Sequence, residues 1–500
     1  MVGCVDDDSS KLKLKIQAVP VVGKIDDLPR LLKKCPVDEI LIAIPSATTP
    51  QMQRIVAICE ATNTKFRTIP ALRELIAGQA AFHQLREVNV DDLLGRDPVE
   101  MDLNAVRNEI EGRTIIVTGA AGSIGSELCR QILEYRPRKI VCLDQSETGI
   151  FHVQRDLLHR NAPAHIVVCI ADVRDRDRLL QIYSEHRPDA TFHAAAYKHV
   201  PVMESNISEA VKNNVFGLLN VLEAGDRTGC SACVLISSDK AVNPTSVMGA
   251  TKRAGELIVS CRPSRGTRCV SVRFGNVLGS NGSVVPLLQA QLRNNQDLTI
   301  THPGISRFFM TSHEAVSLVL QAFALGKHGH ILVLDMKRPM RIVDLAQSLI
   351  RLPSKSVSEV KIRFTGLRPG EKMFEGLFYS TEEVTPTSCP KICNARGQTA
   401  GWERLEHLLE ELRTAVASGC PAAVRAKLKE IVPEYSYRGP RAPALIRSLP
   451  RTKPAQSRAS ASVSRSNSAN PSGKLRRRRR KLPYFHATIG ETGKSRWATL

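Results

Sequence analysis

The 500-residue chain carries 70 Lys and Arg against 49 Asp and Glu, a formal net charge of +21, with 42% hydrophobic residues. That apolar share is enough for two or three domains with sizeable cores, and no window approaches the ~18 uncharged apolar residues of a membrane span. Met1 to Ser10 has neither a basic n-region nor an apolar h-region, so no secretory signal is expected and a cytoplasmic location is predicted.

Residues 1–105 alternate strand-like and helix-like segments. Val19–Val22, Glu39–Ile44 and Lys65–Ile69 read as strands, with helices over Ile25–Lys34 and Pro50–Ala61. This predicts a partial Rossmann-like α/β domain that lacks the usual first strand and glycine loop. Asp91 to Pro98 reads as a linker, because its acids and Pro98 interrupt the apolar patterns on either side.

The most informative stretch runs from Arg113 to Glu127: a β-branched apolar run, then glycines at 119, 122 and 125, then a helix pattern. Gly119 permits a tight turn, Gly122 lets backbone approach a pyrophosphate, and Gly125 lets the helix pack closely on the strand. Ser123 and Ile124 open the helix, whose free N–H groups and dipole favour an anion. A second strand ends at Asp144, close to the ~20-residue offset at which a carboxylate takes the adenosine ribose hydroxyls. A carboxylate there repels a 2′-phosphate, and no arginine follows in Gln145–Glu147, so NAD is favoured over NADP.

Strand and helix alternation then continues to about 435, with strands near His165–Ile170, Ala190–Ala194, Cys233–Ser237 and Cys269–Phe274. The pattern predicts an α/β fold over residues 106–435, a doubly wound parallel Rossmann-type sheet with a smaller C-terminal substrate-binding region. Asp172 and Val173, after the third of these strands from Thr114, are placed to meet the adenine. Ala194 and Ala195, after the fourth, offer small side chains beneath the cofactor. Strand ends on one edge form one crevice.

The chemistry is expected in Ser237 to Lys252, where Ser238, Asp239 and Lys240 follow the fifth strand. Lys252 stands four residues after Met248, on the same helix face one turn on. Cys230/Cys233 and Cys389/Cys393 have zinc-like spacings, but the first pair abuts a strand that alternates its side chains, and no metal site is predicted. The thirteen scattered cysteines read as reduced thiols.

The motif around Gly119, the Ser-Asp-Lys triplet and the x-x-x-Lys spacing resemble the extended short-chain dehydrogenase/reductase superfamily. Ser238–Thr245, Arg273–Gly282, Arg307–Thr311 and Gly366–Lys372 are similar, more narrowly, to the UDP-N-acetylglucosamine 4,6-dehydratases of polysaccharide biosynthesis. Two departures stand out. Larger members carry N-terminal membrane helices and a complete first domain, whereas this chain begins inside that domain. Met248 replaces the superfamily tyrosine, and a thioether has no proton to exchange; the larger dehydratases share this replacement.

The resemblance implies NAD-dependent dehydration of a UDP-sugar to a 4-keto-6-deoxy product for surface glycans. Sugar carbon 4 is oxidised, neutral Lys240 takes the carbon-5 proton, protonated Asp239 delivers one to the departing carbon-6 hydroxyl, and hydride returns to carbon 6. The two residues also read as a plain salt bridge. Lys252 is expected on the nicotinamide ribose, and Ser238 on the 4-hydroxyl in the place that Met248 leaves open. Asn276 and Arg307 are carried over as diphosphate contacts, Arg368 as a phosphate contact and Glu371 as a uridine ribose contact. Two other readings fit the same residues: a nucleotide-sugar epimerase, and a catalytically silent NAD-binding scaffold. A homo-oligomer is expected.

Residues 436–500 are predicted to form a basic, Ser- and Arg-rich disordered tail. Its last fifty residues hold thirteen Lys or Arg against Glu491 alone, so they supply +12 of the total charge. Without apolar periodicity the tail cannot bury enough surface to fold by itself. It reads either as an electrostatic contact for anionic surfaces or as a solvated tail, and no specific nucleic-acid binding is expected.

Overall fold

The computed structural model describes residues 1–44, 47, 49–62, 64–69, 101–160, 163–351, 360–397, 401–437 and 497–499. The expected linker at Asp91–Pro98 lies outside the described residues.

The strand Thr114–Thr118 is buried at all five positions. Ile115 and Val117 enter one apolar cluster and Ile116 another, the two-residue period of a sheet covered on both faces. Around it lies a nine-stranded sheet in the order Glu383–Pro386, Ile392–Arg396, Ile331–Leu334, Arg268–Arg273, Ala232–Ile236, Ala190–His193, Thr114–Thr118, Lys139–Asp144 and His165–Ile170. The seven strands from Ile331–Leu334 to His165–Ile170 run parallel, and the two at the other edge are antiparallel. The doubly wound α/β fold is as the sequence predicts. Strand order reverses between Thr114–Thr118 and Ala190–His193, and the crevice beyond their carboxyl ends is the natural ligand position.

One face is covered by helices that include Ser123–Glu134 and Ser312–Leu325, the other by Gly217–Thr228, Val247–Cys261 and the pair Trp402–Ala417 and Pro421–Ile431. The Val247–Cys261 helix has buried residues around its whole circumference, which is why no single apolar face shows in its sequence. A smaller cluster joins helices Val284–Arg293 and Ile342–Arg351 to the paired strands Leu298–Ile300 and Ile362–Phe364.

The N-terminal unit is a six-stranded sheet in the order Lys15–Ile16, Val19–Gly23, Gly3–Val5, Trp497–Thr499, Glu39–Ile42, Lys65–Thr68. Helices Leu28–Lys34 and Thr49–Glu60 follow the expected pattern. Two features differ from the sequence expectation. Gly3–Val5 forms a strand too short for alternation to reveal, and Trp497–Thr499, inside the tail expected to stay unfolded, pairs in parallel with both Gly3–Val5 and Glu39–Ile42. Tyr435 is buried, and Ser436 N donates to the Pro244 carbonyl at 2.9 Å.

No described helix is long and apolar enough to cross a membrane.

Candidate active site

The glycine turn is as tight as its sequence implies. Gly119 has φ +68°, and a Cβ there would lie 2.5 Å from Ala195 N. A Cβ on Gly125 would lie 2.0 Å from the Gly119 carbonyl oxygen, so the helix Ser123–Glu134 packs on the turn only without one. Gly122 is the N-cap and has no side chain to offer the first helical N–H groups, which leaves them for an anion.

The cleft beyond the turn has a volume of about 380 Å³ and is lined by Gly119, Gly122, Asp144, Asp172, Val173, Ala194 and Ala195 among others. Asp144 accepts from Ala121 N and Ser146 N, both at 2.9 Å, so its carboxylate is fixed where its strand ends and keeps lone pairs for a ribose. Asp172 holds Arg174 through both carboxylate oxygens. Burial works to raise the Asp172 carboxyl, but the Arg174 bonds outweigh it and hold it below the usual range. Bare Cα atoms at the turn, an acid at the second strand end and alanines on the cleft wall fit an adenine dinucleotide.

The segment after Ala232–Ile236 forms a short 3₁₀ turn, Asp239–Ala241, capped by Ser238. Asp239 is wholly buried. Its Oδ1 accepts from Ser238 Oγ at 2.9 Å and from Lys240 Nζ at 3.0 Å, while Oδ2 has no hydrogen-bond partner. Lys240 Nζ also donates to Asn276 Oδ1 at 2.7 Å. The structure therefore brings Ser238, Asp239, Lys240 and Asn276 into one hydrogen-bonded group. The Asp239–Lys240 contact is the geometry of the salt-bridge alternative.

Met248 and Lys252 lie in the first two turns of Val247–Cys261, both buried. Lys252 Nζ donates to the Ile236 carbonyl at 2.8 Å, and burial pushes its pKa down to about 8 against a smaller upward pull from Glu256. His193 Nδ1 lies 2.8 Å from Thr118 Oγ1, and burial, then the Lys252 charge, takes its pKa down to about 3. It is a neutral, buried ring at the end of its strand.

The expected substrate contacts behave differently from one another. Arg307 is buried and donates to the carbonyls of Ser306, Lys372 and Met373. Arg368 is exposed and pairs with Glu371 at 3.2 Å. Asn276 turns to Lys240. Arg307 thus staples the segment that carries Glu371, and Arg368 is left as the guanidinium open to solvent in this group. Thr245 Oγ1 donates to the Gly370 carbonyl at 3.0 Å, which ties this turn to the start of the Val247–Cys261 helix.

Sequence reading missed Asn214, in the π-helical turn Lys212–Phe216. Its amide accepts from Tyr197 N at 2.8 Å and donates to Tyr197 O and Thr251 Oγ1, each at 3.0 Å. It locks the cleft wall to the Lys252 helix. The signal available was Asn213-Asn214 itself, two poor helix formers inside a helical pattern. Among the described residues, no group of His, Cys, Asp and Glu is arranged to hold a metal ion.

Residues 115–397 match the family described as polysaccharide biosynthesis protein, and residues 1–70 match one described as CoA-binding domain. The probable polysaccharide biosynthesis protein EpsC of Bacillus subtilis (strain 168) is 45% identical over 414 residues, 82% of this chain and 69% of that protein. An inverting UDP-N-acetylglucosamine 4,6-dehydratase of Campylobacter jejuni is 34% identical over 54% of this chain and 79% of its own length. A UDP-glucose 4-epimerase of Rickettsia bellii is 35% identical, also over 54% of this chain and 79% of its own. Among solved structures, that of Pen from Bacillus thuringiensis superposes with a TM-score of 0.53 at 32% identity, over 58% of this chain and 88% of that one.

Proposed function

The chain belongs to the polysaccharide biosynthesis protein family, and from that membership together with the Lys240 cluster we propose that it is an NAD-dependent 4,6-dehydratase of UDP-N-acetylglucosamine. The product is a UDP-4-keto-6-deoxy-N-acetylhexosamine destined for surface polysaccharide. Relatives include both a nucleotide-sugar dehydratase and an epimerase, and the pairing of Asp239 with Lys240 is the observation that favours dehydration.

When bound, NAD supplies a hydride acceptor for sugar carbon 4 and a donor for carbon 6. Gly119, Gly122, Ser123, Ile124 and Gly125 would hold its pyrophosphate, Asp144 its adenosine ribose, Asp172 and Val173 its adenine, and Lys252 its nicotinamide ribose. Ala194 and Ala195 leave room beneath it.

Once carbon 4 is a ketone, the carbon-5 hydrogen is acidic. The ion pair seen in the structure and the acid–base pair required for elimination differ by one proton, moved from Lys240 Nζ to Asp239 Oδ1 along their 3.0 Å contact. Neutral Lys240 then takes the carbon-5 proton, protonated Asp239 delivers its proton to the carbon-6 hydroxyl, and water leaves. Both side chains return to their starting charges. After carbon 6 is reduced, Lys240 gives its proton back to carbon 5 and regains one from solvent, which balances the proton that the 4-hydroxyl released at the oxidation step.

Met248 cannot take the 4-hydroxyl proton, and Ser238, bonded to Asp239, is the hydroxyl assigned to relay it to solvent. Arg368 and Glu371 are assigned to the uridine diphosphate end, where Arg307 serves by ordering Lys372–Met373 through its backbone contacts and Asn276 by holding Lys240. A 4-epimerase has no need for an acid aimed at carbon 6. Incubation with UDP-N-acetylglucosamine, followed by proton NMR, decides: a new carbon-6 methyl doublet supports dehydration, while a carbon-4 epimer or an unchanged sugar overturns it.

A further inference from the structure

Outside the cleft, four ionisable side chains are sealed together. Arg253, Glu256, Arg273 and Glu382 have side chains at most 5% exposed. One edge of Arg273 donates to Glu256 at 2.9 and 2.7 Å, the other to Glu382 at 2.8 and 2.9 Å. Arg253 reaches Glu256 at 3.1 Å and lies over the Tyr379 ring at 4.5 Å. Desolvating four charges makes such a network a poor source of net stability compared with packed apolar side chains. No step of the proposed chemistry uses them.

What the network touches is the catalytic segment, from both ends. Ser237, next to Ser238, donates its hydroxyl to Glu256 Oε1 at 2.7 Å. Tyr379 gives its N–H to Glu382 Oε2 at 2.9 Å and its hydroxyl to the carbonyl of Ala241, the residue after Lys240, at 2.5 Å. Arg273 ends the strand that leads to Asn276, the acceptor for Lys240 Nζ. The three residues 238–240 and their partner Asn276 therefore hang from one buried anchor, closed by a glutamate more than a hundred residues further along the chain.

We propose that Glu382, acting through Arg273 and Tyr379, is a positioning residue that sets the Lys240–Asp239–Asn276 geometry. It touches neither substrate nor cofactor. The assignment of its effect to a chemical step rests on the dehydratase reading, whereas its effect on the environment of Lys240 does not.

The test uses Glu382→Gln and, because a buried charge change can impair folding, Tyr379→Phe, which leaves all four charges in place. With the NAD-loaded full chain, exchange of the carbon-5 hydrogen with deuterated solvent is expected to fall by up to about 100-fold, the scale of an ångström-level misplacement. Reduction of the nicotinamide by substrate, read by its near-ultraviolet absorbance, and KM are expected to hold. A parallel fall of both rates with the melting temperature overturns the proposal in favour of a merely structural role. Independently, the rate at which acetic anhydride labels Lys240, read by peptide mass spectrometry, is expected to rise in both variants as the amine loosens from Asp239 and Asn276. Unchanged labelling overturns the positioning role. Altered labelling in a protein whose wild type forms no methyl product supports positioning and overturns the dehydratase reading alone.

Discussion

Gly249 stands so close to Lys240 that a Cβ at position 249 would lie 2.4 Å from the Lys240 carbonyl oxygen. The obstacle is backbone, which cannot rotate aside as a side chain would. The helix carrying Met248 and Lys252 thus approaches the Asp239–Lys240 turn only because residue 249 is glycine. Gly249→Ala is expected to push helix and turn apart, destabilising by about 1–3 kcal/mol as overpacking does. Turnover should drop with the melting temperature, and NAD affinity should fall modestly, because Lys252 of the same helix is assigned to the nicotinamide ribose while Gly119 and Asp144 across the cleft keep their contacts. Calorimetry and a nucleotide titration check both, and full turnover in the variant would contradict the contact.

Lys240 has two oxygen partners, Asp239 at 3.0 Å and Asn276 at 2.7 Å. Replacing it with glutamine keeps a hydrogen-bond donor but removes the base. Loss of a general base costs about 100- to 10,000-fold, so Lys240→Gln should lose carbon-5 exchange and methyl formation by that order and still allow oxidation at carbon 4. If the variant forms product at the wild-type rate, the assigned base is wrong.

Much of this architecture is legible in the sequence, because a parallel sheet buried on both faces writes itself as β-branched runs such as Thr114–Thr118 and because Gly119 and Gly125 meet backbone that excludes any Cβ. Adjacent residues are legible for the same reason: Ser238, Asp239 and Lys240 are neighbours in chain and in space. Contacts across long separations are not. Nothing local to Asn276 says that its amide meets Lys240, and nothing near Glu382 says that Arg273 is its partner. Arg307 shows the converse. Its residue type suits phosphate, yet its donors go to the carbonyls of Ser306, Lys372 and Met373, which only the fold could reveal. Trp497–Thr499 needs partners 458 and 495 residues away to become a strand, and its own composition carries no trace of them.

Asp144 ties the glycine turn to the second strand end through Ala121 N and Ser146 N. On the NAD reading proposed above, its negative charge would repel a 2′-phosphate. NADP is therefore expected to bind at least about tenfold more weakly than NAD, a difference of about 1.4 kcal/mol. Asp144→Asn retains an acceptor, removes the charge and should narrow that gap. Titration with both nucleotides reads it directly, and equal affinities in the wild type would remove Asp144 as the discriminator.

Lys252 and His193 are both buried and give opposite ends of a pH profile. Burial brings Lys252 down to about 8 from its ordinary 10.5, and the cation is the form that donates all three N–H groups to the nicotinamide ribose assigned to it. Activity is expected to decline as pH rises through about 8, and Lys252→Arg, whose guanidinium stays charged, should remove that limb from whatever activity it retains. Stability runs the other way. The unfolded chain binds the extra proton between about 8 and 10.5, so folding gains stability as pH rises through that window. His193, at about 3 against an ordinary 6.5, obeys the same sign lower down: its contribution is complete above about 6.5 and is lost as pH falls toward 3, because only the unfolded ring takes the proton. Denaturant midpoints should therefore fall between pH 7 and pH 5 in the wild type and fall less in His193→Gln, where no ring is left to protonate. An equal fall in both proteins would show that His193 is not the group responsible, and an alkaline limb that survives in Lys252→Arg would do the same for Lys252.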